Sequence, residues 1–390
     1  MEEPQEPTDE GAVSLPGRAV ISLDAIRDNT RVLSDMARGA QVMAVVKANA
    51  YGHGLIQSAH AAIAGGATYL GVAQVSEALE LDHALGLNRP AIFTWIYSPN
   101  TSLDIAVTRG LEFGVSSTCA LNHILGAARR CGRSADIHLK FDSGLGRAGA
   151  PLDTWSELVR SALRGEAEGY VRLIGFWSHF ACADMPSHKS IDAQEAAFSD
   201  ALAIAKGVGA KVDLVHFANS AALITKRAIY DMVRPGLALY GLSPIAHQVT
   251  SAELGLIPAM TLETELILVK HLPEGYGISY GHTYRTPSDT VTGLVPLGYS
   301  DGISRAASGC APVQIAGRRL QITGRVCMDQ FVVDLGFGAR ECEGERVIVF
   351  GPGLDGEPTA QDWADATGTI TNEIVTRLPR HFPRVYVGLD

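Results

Sequence analysis

Several polar side chains stand where short apolar runs end. Lys47 directly follows VMAVV, and an ammonium at the mouth of an apolar strand must be paired or lowered in pKa. The loop ANAYGHG then brings Tyr51 and His53 close to it. Two readings fit Lys47: a rim lysine reaching for water, and an imine-forming lysine. Ser116, Lys140 with Asp142, His179, His216 with Asn219 and Ser220, and Arg234 close five further runs. Asn219, Ser220, Gly236 and Leu237 offer amide, hydroxyl and backbone N–H donors of the kind that hold a phosphate. Ser220 also opens SAALITKRA, so an N-cap role alone would explain it. Arg234 must face an acceptor. A lone histidine ending an apolar run is commonly structural, but His179 and His216 together with Arg234 favour a hydrogen-bonded proton network. A metal site needs three ligands at suitable spacing. His53 and His179 can be argued, but no HxH or HExxH pattern supports them, and no metal is expected.

The elements that must carry these residues change rhythm near residue 250. Eight β-rich runs cover 42–47, 68–73, 91–95, 112–116, 136–141, 171–178, 211–217 and 231–235. Between them lie amphipathic, Ala-rich stretches such as CALNHILGAARRCG and TWSELVRSALRG, most ending in glycine, a helix C-cap signal. Eight strand–helix units predict a (β/α)8 barrel over 17–250, whose active site lies at the carboxyl ends of the strands. A doubly wound sheet would want fewer strands and a glycine fingerprint after the first, which is absent. The preceding strand, AVIS from Ala19, is free to join the other domain instead. Residues 251–390 alternate, turn at Gly or Pro and alternate again, which predicts a mainly antiparallel β domain. One helix interrupts it at TAQDWADATG, with Thr359 as N-cap, and PRVYVG closes it as an edge strand. Residues 1–16 read as a disordered tail.

Composition excludes several function classes. Hydrophobic residues make up 46% of the 390 and charged residues 19%, enough apolar material for a large core and too little charge for a disordered chain. The net charge of −10 argues against a general nucleic-acid grip and against attraction to anionic membranes. The acidic start MEEPQEPTDEG is not a secretory signal, and no apolar stretch is long enough to span a bilayer. None of the six cysteines forms a CxxC pair, so a cytoplasmic location is expected.

The run AVVKANAYGHG (44–54) resembles the cofactor-lysine signature of bacterial alanine racemases, pyridoxal-phosphate enzymes built on a barrel plus a β domain. The resemblance continues through KFDSGLGRAG, SHFACAD, HFANSA, VRPGLALYG, ISYGHTY, PLGYSDGISR, GRVCMDQ and PRVY, and covers residues 17–390. It implies pyridoxal 5'-phosphate in Schiff-base linkage to Lys47. It implies a phosphate held by Tyr51, Ser220 and backbone near Gly236 and Leu237, with Arg234 facing the pyridine nitrogen. His179 would link that arginine to a catalytic tyrosine, Tyr280, supplied by the partner subunit of a homodimer. Arg147 would lie near the substrate carboxylate, and Met328 and Asp329 on the substrate side. Asp184, Tyr284, Tyr299, Arg305, Arg325 and Ile370 match the entrance and its gates. Lys140 matches a lysine that is carbamylated in several members; a lysine paired with Asp142 or a chloride is the alternative.

The implied chemistry is two-base racemisation of L- and D-alanine, supplying D-alanine for peptidoglycan. The cofactor acidifies the α-hydrogen, and bases on opposite faces, Lys47 and Tyr280, remove and return it. A tyrosine titrates near ~10 in water, so it needs positive neighbours such as Arg147. Arg234 stays protonated and leaves the ring nitrogen largely unprotonated, which weakens the electron sink and narrows the reaction. One departure stands out. The family block reads Thr-Ile-Asn-Tyr-Glu, but here TITNEIV puts Asn372 in the tyrosine position near the phosphate. Either this is drift, or the pocket is roomier and accepts a hydroxyl, as in the serine racemases this block also resembles. Serine, alone or beside alanine, is therefore the alternative substrate. A related-barrel decarboxylase would place a Cys and an Asp against a larger substrate and lack the AVVKANAYGHG and ISYG pair. A silent cofactor-binding protein would not keep Lys47, Tyr280, Arg147 and His179 together.

Overall fold

The computed structural model describes residues 17–389; the tail expected over 1–16 lies outside the described residues. The strands in chain order are β1 (Gly17–Ser22), β2 (Gln41–Val45), β3 (Tyr69–Gln74), β4 (Ala91–Ile96), β5 (Glu112–Val115), β6 (Ala135–Lys140), β7 (Val171–Trp177), β8 (Leu214–Asn219) and β9 (Met232–Arg234). Strands β2 to β9 form a closed barrel. Neighbours pair in parallel, and β2 against β9 closes the ring through Gln41↔Met232 and Val42↔Val233. All eight expected runs are barrel strands. Their interior packs Met43, Phe93, Trp177, Leu214 and Met232, with Tyr69 and Trp95 against them. It is a filled core rather than a pore.

The helices between the strands follow their sequence signals, with one informative exception. Thr118–Cys131 starts where the Ser117 hydroxyl accepts from Ala120 N and stops at Gly132 in the left-handed region (φ 60°). That is the expected serine start and glycine stop. TWSELVRSALRG does not stop at its glycine. The helix runs over Leu152–Ala167, and Gly165 lies buried inside it. A Cβ there would come within 2.8 Å of Leu125 Cδ2 and 3.1 Å of Val171 Cγ2, so this glycine permits close packing rather than capping.

The remaining strands are β10 (Met260–Glu265), β11 (Leu268–Leu272), β12 (Gly277–Ile278), β13 (Tyr284–Arg285), β14 (Thr290–Val295), β15 (Pro312–Ile315), β16 (Arg318–Thr323), β17 (Phe331–Gly336), β18 (Arg346–Phe350) and β19 (Arg384–Val387). A nine-stranded sheet has the order β11-β14-β17-β16-β15-β18-β10-β1-β19, and β12 pairs β13 separately. The first strand thus joins the β domain, and β19 is the expected edge. Strand β17 alternates buried and half-buried residues, the signature of a sheet covered on one face. Helix Ala360–Thr367 starts in a capping box between Thr359 and Asp362. Its Trp363 indole N–H donates to Val349 O at 2.7 Å and fixes it to the sheet.

The chain folds as two units. Among the described residues, one holds 21–260 with Thr371–Thr376 and 386–389; the other holds 17–20, Thr261–Ile370 and Arg377–Val385. The helix Thr371–Thr376, which carries Asn372, therefore belongs with the barrel although it lies late in the chain. Among the described residues no helix is long and apolar enough to cross a membrane.

Candidate active site

After β2 the backbone enters an unusual turn. Ala48, Asn49, Ala50 and Tyr51 all have positive φ, between 51° and 55°. L-residues pay about 1–2 kcal/mol each for this region, so a run of four non-glycines must be held by its surroundings. The Asn49 side chain accepts from Leu55 N at 2.9 Å, and Glu77 accepts from Asn49 N at 3.3 Å. His53 Nδ1 lies 3.0 Å from both Ala50 O and Tyr51 O, so that nitrogen must carry the proton. His53 stacks on Tyr240 at 4.4 Å, and the Tyr240 hydroxyl donates to Val45 O. Gly52 closes the turn against the late helix: a Cβ there would lie 2.2 Å from Val375 O. His53 and Tyr240 are thus braces of the lysine loop.

This turn puts Lys47 and Tyr51 on the same side of the mouth, with Lys47 Nζ 5.8 Å from the Tyr51 ring centre. Burial, with the Arg147 charge next, lowers the Lys47 pKa from its ordinary value. Tyr51 is buried and pushed up to about 12 by that burial, so it is a hydroxyl donor at neutral pH. Its hydroxyl meets Gly236 so closely that a Cβ there would stand 2.4 Å away.

Asn219, not Ser220, caps the short helix Ser220–Ile224, its side chain accepting from Ala222 N at 3.0 Å. Ser220 is thereby released from the capping role the sequence offered it. Its hydroxyl accepts instead from Gly236 N at 2.9 Å and Ala238 N at 3.3 Å, after β9. Tyr51 Oη, Ser220 Oγ and the amides from Gly236 onward form a cradle after the last two barrel strands, where barrels hold phosphates. Leu237 is buried beside it, opening the turn Leu237–Tyr240. Asn372 is half-buried in the helix that packs on the Lys47–Tyr51 turn.

Arg234 ends β9 wholly inside the mouth. It donates to Ser178 O at 2.8 Å and Phe217 O at 3.2 Å, and lies 3.1 Å from His216 Nδ1 and 3.3 Å from His179 Nδ1. Burial without a contacting carboxylate lowers its pKa to about 9. Because a guanidinium only donates, both Nδ1 atoms must accept, and His179 keeps its proton on Nε2. Burial and then the charges of Arg234, Arg147, Lys140 and Lys47 hold His179 well below the usual imidazole range, so it is neutral.

Lys140 is buried with its Nζ 4.5 Å from the Trp177 ring centre, and the Arg234 guanidinium carbon lies 5.1 Å from the same ring. Burial, Arg234 and Arg147 lower the Lys140 pKa to about 8. Asp142 is not its contact partner. That carboxylate accepts from Gly144, Leu145 and Gly146 N and shapes the loop carrying exposed Arg147. Asp184 is exposed after β7.

The other expected site residues gather on the β domain. The Ser279 hydroxyl donates to Arg325 O at 2.6 Å and lies 3.3 Å from Cys327 Sγ. Arg325 covers Gly281. Ser300 N and Oγ donate to Met328 O at 2.9 Å, and Ser300 Oγ lies 3.0 Å from Asp329 Oδ1. Tyr299 N donates to Cys327 O at 3.1 Å. One surface therefore presents Tyr280 (72% exposed), Met328 (55%) and Tyr299 (46%). Tyr284 is turned into its own domain, donating to Asp334 at 2.7 Å, and burial pushes it up to about 12. Arg305 and Ile370 are exposed.

Sequence reasoning missed Glu112, His138, Trp177, Tyr240 and Ala238. His138 carried a usable signal: it lies two residues from Lys140 on β6, on the same inward-facing parity.

A lysine amine, an anion cradle and a buried guanidinium at the mouth of a (β/α)8 barrel, with a β domain in the same chain, define a two-domain barrel enzyme. Two family models match it, described as alanine racemase N-terminal domain over residues 21–244 and alanine racemase C-terminal domain over 259–386. The chain belongs to the alanine racemase family. It is 50% identical over 378 residues to an alanine racemase of Streptomyces coelicolor, covering 96% of each. It superposes on the crystal structure of alanine racemase from D-cycloserine-producing Streptomyces lavendulae with a TM-score of 0.94 at 48% identity, covering 96% of this chain and 98% of that one. A Bartonella henselae alanine racemase crystallised with covalently bound pyridoxal phosphate matches at a TM-score of 0.85 and 26% identity, covering 96% of this chain and all of that one.

Proposed function

We propose that this chain interconverts L- and D-alanine with pyridoxal 5'-phosphate, by two bases acting on opposite faces of the substrate. The observation that carries the reading is the convergence of Lys47, the Tyr51–Ser220–Gly236 cradle and Arg234 at one barrel mouth. These donors fit the cofactor group by group: an amine for its aldehyde, hydroxyls and amides for its phosphate, and a donor-only guanidinium for its ring nitrogen. When bound, the cofactor withdraws electrons from the substrate and acidifies its α-hydrogen.

Lys47 Nζ takes or returns the proton on one face. Its lowered pKa increases the neutral, proton-accepting fraction at neutral pH. Tyr280 Oη serves the other face. It lies on an exposed surface of the β domain with Met328 and Tyr299, which supports its delivery to the barrel mouth of a partner copy. A homodimer with two composite sites follows. His179, neutral with its proton on Nε2, links Arg234 to the tyrosine oxygen. Arg147, Met328 and Asp329 orient the substrate carboxylate, and Asp184, Tyr284, Tyr299, Arg305, Arg325 and Ile370 shape the entrance. Leu237 N and Asn372 complete the phosphate surroundings.

Lys140 becomes a carbamate: its neutral amine adds to the carbon of CO2, forming an N–C bond and releasing one proton. The lowered pKa and the Arg234 guanidinium at the same Trp177 ring support this anion, which would also hold Arg147. The relatives' names favour alanine over serine. All six cysteines are free, which supports a cytoplasmic setting, with D-alanine serving peptidoglycan synthesis. Chiral chromatography of L-alanine and L-serine reactions tests the reading. It expects equal L- and D-alanine at equilibrium and a slower serine reaction; no D-alanine from the loaded enzyme refutes it.

A further inference from the structure

Arg234 is one end of a hydrogen-bonded chain that crosses the barrel interior. His216 Nδ1 lies 3.1 Å from its guanidinium, His216 Nε2 lies 3.0 Å from His138 Nδ1, and His138 Nε2 lies 2.8 Å from Glu112 Oε2. All four groups are buried. The members come from β9, β8, β6 and β5, so the chain runs from the mouth to the amino-terminal end of a strand, where Glu112 begins β5. It is tightly walled. His216 lies parallel to the Trp177 ring, Phe93 packs edge-on to His216, and His138 leaves no room at Gly175, where a Cβ would stand 2.7 Å from its Nδ1.

The donors and acceptors leave one arrangement. Arginine has no acceptor, so His216 Nδ1 accepts and its proton sits on Nε2. That proton is donated to His138 Nδ1, so His138 carries its own on Nε2 and donates it to the Glu112 carboxylate. Reversing any link would set a donor against the Arg234 donor. We propose that Glu112, His138 and His216 form a one-way hydrogen-bond chain that positions Arg234, with Glu112 as its anionic terminus. Arg234 has no carboxylate in contact, and two neutral imidazoles carry the influence of this anion to it. Burial and the nearby Arg234 charge keep His216 well below the usual imidazole range, consistent with a neutral ring. All three are positioning residues.

The functional consequence rests on the placement of Arg234 at the cofactor ring nitrogen; the tautomers do not. The test is 15N NMR of the histidine- and arginine-labelled full chain, free of cofactor, in the native sequence and in Glu112→Gln. In the native chain His138 and His216 are expected to be neutral with Nε2 protonated. Glutamine keeps an acceptor oxygen but removes the charge, so resonances of His216 and of the Arg234 guanidinium are expected to shift. A role confined to satisfying His138 would leave Arg234 unmoved. In the loaded enzyme, kcat should fall about five- to tenfold, the difference between a charged and a neutral acceptor, with KM for alanine within twofold. An imidazolium or an Nδ1-protonated ring in the native chain overturns the proposal even if the variant does not fold. So does Glu112→Gln with unchanged His216 and Arg234 signals. Shifts as expected with unchanged kcat would leave the chain standing and refute the ring-nitrogen placement of Arg234.

Discussion

Gly236 is the position where one methyl group should do most damage to the cofactor cradle. In Gly236→Ala the new Cβ would lie 2.4 Å from the Tyr51 hydroxyl and 3.0 Å from Tyr51 Cζ. Tyr51 is buried, and its ring packs 5.1 Å from Tyr240, so it has no free volume to retreat into. Overpacking of this kind costs about 1–3 kcal/mol. Cofactor affinity should fall as well, because relieving the clash means moving the Tyr51 hydroxyl out of the cradle. One charge-assisted hydrogen bond of about 1.5–3 kcal/mol corresponds to roughly ten- to hundredfold in Kd. Tyr51→Phe removes the atom at 2.4 Å and leaves the 3.0 Å contact, so the double variant should be partly relieved. The assay is a double-mutant cycle by denaturant unfolding of the cofactor-free protein, with cofactor titration by absorbance alongside. A favourable coupling of about 0.5–2 kcal/mol is expected in the unfolding cycle. Additive effects, or an alanine variant with native stability and affinity, would refute the placement of Tyr51 against Gly236.

Other consequences are open to direct measurement. Borohydride reduction followed by peptide mass mapping should find the pyridoxyl group on Lys47; another lysine would contradict the site. Mixing Lys47→Ala chains with Tyr280→Phe chains should restore part of the activity, since one composite site of each mixed dimer is intact; no recovery in demonstrated mixed dimers would refute shared sites. Lys140, with its pKa at about 8, presents a neutral amine above that pH and an unreactive ammonium below it. A carbamate signal from 13C-bicarbonate should therefore be strong at pH 8.5 and weaken toward pH 6, and a bare amine at pH 8.5 would refute the modification. Asn372→Tyr should raise the alanine-over-serine ratio of kcat/KM several-fold; an unchanged ratio would leave the asparagine as drift.

The barrel strands were legible because each is a short β-rich run, six of the eight closed by a polar residue, and the β domain because its strands alternate. The lysine, the cradle serine and Arg234 were legible for the same reason: polarity at an apolar strand's end is costly and needs a cause. What stayed hidden depends on distance in sequence. Ala48 to Tyr51 do not read as left-handed from composition, since His53 and Leu55 brace them locally but Glu77 holds Asn49 from 28 positions away and the turn closes at Gly52 against the late helix. Asn219 and Ser220 are equally good caps by composition, and only Gly236 N and Ala238 N show which one is engaged elsewhere. His138 looked like an ordinary strand residue because its partners lie 26 and 78 positions away. Gly165 imitated a helix stop because close packing and capping use the same residue.

The central claim, proton transfer by two bases on opposite faces, is tested most directly by running L-alanine with the loaded enzyme in deuterated water. Both bases exchange with solvent, so D-alanine formed in the first turnovers should carry deuterium at the α-carbon. Early D-alanine that keeps mainly the substrate's own hydrogen would mean one group carries it from face to face, and would contradict the pairing of Lys47 with Tyr280.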